Sequence, residues 1–394
     1  MSPGKTRSIN SNSGLKLALA IETSCDDTSV AIVSLAIKSK IKSTDKHTAL
    51  SEGYVVSMLS ANQDLLHLPY GGVVPELASR NHTLSLLPLI NQILELNQLT
   101  QSDIDVICVT NRPGLVGSLL VGLVTAKTLS LLWNKPFLGV NHLEGHLLAP
   151  WLSDEKYQPE IQFEEACPSL VLAVSGGHTH LCKINAAKIN KDKINEDEIH
   201  NVFQYEILGQ TLDDAAGEAL DKFAKELGLG FPGGAKLDQW ARRGDPNKFQ
   251  FPKGLKNQGL NFSFSGTKAS GLRQLEKMSK DEIETEIYNL CASFEKDVID
   301  VLFDKLEMAL SLQSYKSVGI TGGVSANSYL RLRASQLSEK LKIPVLIPPL
   351  KYCTDNAAMI GYAGLRQFVN GKSDEQSLSP SPRSYDTDFK VSAQ

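Results

Sequence analysis

The chain of 394 residues lacks cysteine pairing. Its six cysteines (Cys25, Cys108, Cys167, Cys182, Cys291 and Cys353) are scattered, and no two form a CxxC pair. That spacing excludes a disulfide scaffold and fits a reducing compartment. Positive charge is not in excess either, with 40 Lys and Arg against 44 Asp and Glu. A nucleic-acid partner would therefore need a local basic surface. No apolar run is free of interruption: the longest, "LVGSLLVGLVTAKTLSLLW" from Leu115 to Trp133, contains Lys127 and several Ser, Thr and Gly. It reads as a buried helix with no membrane span. Acids are missing from the first 21 residues, which carry Lys5, Arg7, Lys16 and four serines. That is the bias of an organellar transit peptide and, equally, of a flexible tail.

What is present is ordinary for a soluble enzyme: 42% apolar and 21% charged residues. The length exceeds that at which one core stops growing, so two lobes are expected. Two segments are alike. "LKLALAIETSCDDTSVAIVS" (Leu15 to Ser34) and "PSLVLAVSGGHTHLCKI" (Pro168 to Ile184) each read as strand, small polar turn, strand. "DVICVTNRPGLVGSLLVG" (Asp105 to Gly122) and "SVGITGGVSANSYLRLRA" (Ser317 to Ala334) each read as strand, glycine turn, helix start. The order recurs, which predicts a duplicated α/β lobe with a ligand at the strand ends between the copies.

The expected limits are a remnant over residues 1–14, a first lobe over 15–150 with a helix near 354–372 packing back on it, a second lobe over 165–350, and a tail over 374–394. The polar insert from Asn185 to Asn201 reads as a surface loop or hairpin tip.

Three glycine-bearing turns, Ser175-Gly176-Gly177, Pro232-Gly233-Gly234 and Gly322 to Asn327, leave backbone N–H groups open to phosphate oxygens. In "TLDDAAGEALDKFAKELG" the acids Asp214, Glu218 and Asp221 fall at i, i+4 and i+7 along one helix edge. They are either a dipole-stabilised first turn or acceptors for sugar hydroxyls. In "NHLEGHLLAP", His142 and His146 stand one helical turn apart before Pro150. Asp355 in "YCTDNAAM" is either a helix cap or a third ligand beside them. A metalloprotease is a poor reading, because that motif needs Glu next to the first His and Leu143 stands there.

Together, "IETSCDDTS", "GGVVPELASRNH", "NRPGLVGSLLVG", "VNHLEGH", "VSGGHTHL", "DDAAGEALDK", "GFPGG", "FSFSGTK", "TGGVSAN" and "YCTDNAAM" resemble one family, the tRNA threonylcarbamoyladenosine synthases. The stretches run from about Leu15 to Gly364 in the family's order, with most likeness to its bacterial and mitochondrial branch. The resemblance implies an actin-like, Hsp70-like (ASKHA) duplicated α/β ATPase fold with two lobes around a central nucleotide cleft. It implies one divalent metal, zinc or iron before magnesium or manganese, held by His142, His146 and Asp355. Ala173, Val174, Ser175, Gly176, Gly177, Asp221, Gly234 and Asn327 would line the nucleotide site, with Asp238 a further ribose-side candidate.

The implied reaction moves a threonylcarbamoyl group from its adenylate to adenosine 37 of tRNAs reading A-starting codons and releases AMP. Asp26, in the first hairpin turn, is the candidate catalytic residue, with turn formation as its plainer role. The implied partners are tRNA, threonylcarbamoyladenylate or a related nucleotide, and a second copy of the chain. The expected compartment is the mitochondrial matrix, or the cytoplasm for a bacterial source. An actin-like ATPase or small-molecule kinase is the alternative, since fold does not fix function.

Overall fold

The computed structural model describes residues 14–36, 53–186, 203–230, 232–256, 258–385 and 388–391. The first half runs β1 (Leu15–Glu22), β2 (Thr28–Ala36), β3 (Tyr54–Ala61), α1 (Asp64–His67), α2 (Pro75–Leu96), β4 (Val106–Arg112), α3 (Val116–Trp133), β5 (Phe137–Asn141), α4 (His142–Leu148) and α5 (Phe163–Ala166). The second half continues with β6 (Ser169–Val174), β7 (Thr179–Ala186), β8 (Phe203–Gln210), α6 (Ala216–Glu226), α7 (Gly234–Ala241), α8 (Ser265–Glu276) and α9 (Lys280–Leu312). It ends with β9 (Ser317–Thr321), α10 (Ser328–Leu341), β10 (Val345–Leu346), α11 (Ala357–Phe368) and β11 (Lys390–Val391).

The duplication read from the sequence is present in the sheets. One has the order β3-β2-β1-β4-β5; the other repeats it as β8-β7-β6-β9-β10 and adds β11 beyond β8. In each, a hairpin precedes parallel strands joined by right-sized helical crossovers, β1 with β4 and β6 with β9. The fold is the actin-like duplicated α/β architecture. The polar insert joins the antiparallel pair β7 and β8, and its residues 187–202 lie outside the described residues.

β1, β2, β4 and β6 are buried along almost every position because both sheet faces are covered. Alternate residues go to different cores. Leu19, Ile21, Val30 and Ile32 meet α2 and α3, and Leu170, Leu172 and Val174 meet the helices α6, α7 and α9. The opposite faces, Ala18, Ala20 and Val33 of one sheet with Val171 and Ala173 of the other, share a third core that encloses α4 and α11. α11 lies close because it is built of small residues; a Cβ on Gly361 would come within 2.6 Å of Val33.

Three expectations change. The stretch from Pro150 to Pro168 is no loose linker: Trp151 and Phe163 are buried and meet edge to face at 5.0 Å, because the link between lobes runs through the shared core. α3 is buried along one face only, with Leu120, Val124, Leu131 and Leu132 exposed. It is long and apolar enough to cross a membrane by composition. The segment after Ser373 is not a free tail. Asp374 accepts from Gly139 N–H at 2.8 Å, Asp388 pairs with Arg112 of β4 at 2.7 Å and accepts from Asn141 at 2.8 Å, and β11 then pairs with β8 in the other sheet. Buried polar partners fix it where composition predicted looseness.

Candidate metal centre and nucleotide cleft

α4 and α11 begin at equivalent points of the two halves, directly after β5 and shortly after β10. Asn141 caps α4 by accepting from Leu143 N–H at 2.8 Å, and Asn356 caps α11 by accepting from Met359 N–H at 3.0 Å. Capping by Asn356 relieves Asp355 of that task. Asp355 Oδ1 lies 3.3 Å from His142 Nε2 and 3.0 Å from His146 Nε2. One donor atom from each of the three residues lies within 4.8 Å of the others. The two imidazoles are nearly perpendicular, 4.7 Å between centroids.

Behind His142 stands Glu22, fully buried at the end of β1, its Oε2 at 3.0 Å from His142 Nδ1. Ser24 Oγ is 3.1 Å from the same nitrogen, and Glu22 also accepts from Thr110 Oγ1 and Ser24 N–H, each at 2.5 Å. Burial opposes charge on Glu22, yet the positive His142 beside it holds the carboxyl below its ordinary range. Burial likewise opposes charge on His142, but Asp355 and Glu22 together raise it well above the usual imidazole value. Asp355 is held well below the carboxylate range by His142 and His146 against the cost of burial. A second-row carboxylate fixing Nδ1–H leaves Nε2 free to bind, and a site that favours positive charge favours a dication. His146 keeps a buried Nδ1 without a protein partner among the described residues. Two imidazoles and a carboxylate fit a divalent transition metal with open positions.

The β6–β7 turn, whose His178 lies within electrostatic reach of His142 and His146, carries Ser175-Gly176-Gly177. Ser175 N–H donates to His178 O at 2.8 Å and His178 N–H to Ser175 Oγ at 3.1 Å. Gly176 and Gly177 are exposed with nothing near a would-be Cβ, while Ala173 and Val174 lie buried in β6. α6 starts against this turn so tightly that a Cβ on Gly217 would meet Ser175 O at 2.6 Å. Asp221 on α6 accepts from Gly233 N–H at 3.0 Å and Gly234 N–H at 2.7 Å. Burial nonetheless raises its carboxyl above the ordinary value.

The other candidates are placed differently. Asn327 caps α10 through Leu330 N–H at 2.9 Å and donates to Glu295 at 2.5 Å. Asp238 spends both oxygens on protein, one on Ser328 N–H at 3.0 Å and one on Arg242 at 2.5 Å. Of the three acids on one edge, Asp214 pairs with Lys222 and Lys268 and Glu218 with Lys222, so Asp221 alone faces the glycine turn. Leu212, ahead of that helix, is 61% exposed because α6 starts only at Ala216. Asp26 sits half-buried in the β1–β2 turn.

The sequence reading missed Glu22, Glu295 and His178. Burial, then Asp238, push the Glu295 carboxyl up to about 7. Burial, then His180, His142 and His146, bring His178 down to about 3 and keep it a neutral imidazole beside the metal candidates. The basic stretch after Trp240 is largely paired off: Lys248 with Glu286, Lys253 with Asp300, Arg243 stacked on Tyr288.

A family model described as tRNA N6-adenosine threonylcarbamoyltransferase matches residues 54–362. A protein of that name from Bdellovibrio bacteriovorus is 48% identical over 377 residues, covering 95% of this chain and all of its own. One of the same name from Thermosipho africanus is 42% identical over 368 residues, 93% of this chain and 98% of its own. Among solved structures, T. kodakarensis HypF shares the fold at a TM-score of 0.51 and 13% identity, over 92% of this chain and 48% of that one.

Proposed function

The chain belongs to the tRNA N6-adenosine threonylcarbamoyltransferase family, and from that premise we propose how its residues carry the reaction. The enzyme transfers the threonylcarbamoyl group from L-threonylcarbamoyladenylate to N6 of adenosine 37 in tRNAs reading A-starting codons. A bond forms between N6 and the carbamoyl carbon, the bond from that carbon to the phosphate oxygen breaks, one amine proton is lost, and AMP leaves. The mixed anhydride supplies the driving force, so the protein has to orient two reactants and answer the charge that develops.

His142, His146 and Asp355 hold a divalent ion, with zinc or iron suited to two imidazoles and a carboxylate, and magnesium or manganese as alternatives. When bound, that ion supplies Lewis acidity toward threonylcarbamoyl and phosphate oxygens. Gly176 and Gly177 offer backbone N–H groups to the adenylate phosphate, while Ser175, whose N–H is given to His178 O, and the strand end Ala173-Val174 hold that turn in place. Asp221 acts by fixing the Gly233-Gly234 turn against the nucleoside. Asn327 and Asp238 support that wall through α10, so Asp238 reaches the ribose only through its neighbours. Asp26 takes the amine proton or fixes the water that does. The observation that carries this reading is the meeting of the α4 histidines and Asp355, with His178 of the open Ser175-Gly176-Gly177 turn within electrostatic reach of both histidines.

The substrates are tRNA and the adenylate. We place a second copy of the chain against α2 and α3, where Leu84 (73% exposed) and Leu131 (68% exposed) form an unpaired apolar face. Both relatives named above are bacterial, which favours the cytoplasm; the mitochondrial matrix rests on the basic start, whose residues 1–13 lie outside the described residues. The test of the reading supplies the protein with threonylcarbamoyladenylate and unmodified tRNA, with and without a chelator. Modified adenosine should form only with the ion; equal yield after complete metal removal overturns the role given to His142, His146 and Asp355.

A further inference from the structure

Between β3 and α2 the chain exposes four large apolar side chains within six residues: Leu65 at 84%, Leu66 at 48%, Leu68 at 47% and Tyr70 at 63%. A single exposed leucine needs no explanation, but a fixed row of them does. The row is fixed from beneath. Gln63 and His67 are buried, His67 N–H bonds back to Gln63 O at 3.3 Å, and His67 Nδ1 accepts from Val74 N–H at 3.2 Å. Gly71, at φ +65°, closes the turn in a conformation that glycine adopts without strain.

Its position ties it to the cleft at both ends. Asn62, just ahead of it, donates to Asp27 Oδ1 at 3.0 Å and accepts from Asp64 N–H at 2.8 Å, so it starts against the turn that carries Asp26. At the other end a Cβ on Gly71 would lie 3.2 Å from Nζ of Lys225, on the α6 helix that carries Asp221. The row therefore runs along the cleft rim from the first lobe to the nucleotide wall of the second.

We propose that this rim is a stacking platform for the bases that flank the target adenosine in the tRNA loop, with Tyr70 as the aromatic face and Leu65, Leu66 and Leu68 as its apolar flanks. The proposal rests on the cleft being the transferase site. When one base of a single-stranded loop enters a cleft, its neighbours lose a stacking partner, and aromatic side chains replace it. The charges favour bases over backbone, because Asp64 beside the rim repels phosphates. A phosphate is better placed at the Lys225 end.

The test measures binding of an unmodified tRNA transcript that reads an A-starting codon to the full chain and to Tyr70→Ala, Tyr70→Phe and a Leu65→Ser/Leu66→Ser pair. A second transcript carries abasic residues on either side of adenosine 37. Tyr70→Ala should weaken the native transcript about 5- to 100-fold, while Tyr70→Phe stays within about twofold of the parent. The abasic transcript should lose affinity for the parent protein but little more for Tyr70→Ala. AMP binding checks that each variant is folded. Unchanged tRNA affinity in Tyr70→Ala, or equal losses on both transcripts, overturns the platform. So does a result in which Tyr70→Ala keeps tRNA affinity and abolishes self-association, which would make the rim a protein contact. Failure of the parent protein to modify adenosine when given the adenylate would instead count against the reaction assigned above.

Discussion

Glu22 Oε2 lies 3.0 Å from His142 Nδ1, so the imidazole that faces Asp355 is oriented from behind by a buried carboxylate. Replacing Glu22 with Gln keeps the shape and removes the charge. Metal affinity, read by competition with a chromophoric chelator, should fall about 10- to 100-fold. An unchanged affinity would show that Glu22 serves only the fold.

His146→Ala removes one donor of the three, and Asp355→Asn removes the only anionic one by leaving a neutral carbonyl in its place. Both should lose stoichiometric ion, measured by elemental analysis after dialysis, and lose formation of modified adenosine. A variant that keeps both would remove its residue from the site.

Asp221 and Asp238 should separate by assay. Asp221→Ala frees the Gly233 and Gly234 amides and should weaken AMP binding by about tenfold, the loss of one charged hydrogen-bond acceptor. Asp238→Ala leaves Ser328 N–H in the first turn of α10 without its acceptor and should cost stability, about 1 kcal/mol by thermal melting, with a smaller effect on AMP. The reverse pattern would restore Asp238 to the ribose.

Glu295 gives a pH prediction. Its carboxyl titrates near 7 because of burial and, next, Asp238, with Arg242 and Asn327 pulling the other way. The folded chain holds that proton more tightly than the unfolded one. The stability it contributes is therefore complete below about pH 4.3 and is lost as pH rises toward 7. Glu295→Gln still accepts from Asn327 and cannot ionise. Between pH 5 and 8 its stability should drop by roughly 3 kcal/mol less than the parent's, measured by denaturant melts. Parallel profiles would contradict the assignment.

The sheets were legible because a buried parallel strand has to be apolar throughout and a hairpin turn polar, so the two copies announced themselves. The histidine pair and glycine turns were legible as spacing. Glu22 was not, since a Glu at the end of an apolar strand has no period to mark it; only the β1–β4 pairing brings it to Thr110 and α4 to its other side. Asp355 and Asn356 were ambiguous for a local reason: either can cap a helix, and the backbone geometry chose the second. The segment after Ser373 misled because Ser and Pro signal looseness, while its anchors, Arg112 and Asn141, are more than 230 residues away.

That final segment has a mechanical consequence. Asp388 is pinned to Arg112 in one sheet and, two residues later, Lys390 pairs with Glu206 in the other. So short a tether leaves almost no slack, and the two sheets are geared together through it. Any swing of one sheet against the other must unzip β11 or part Asp388 from its guanidinium.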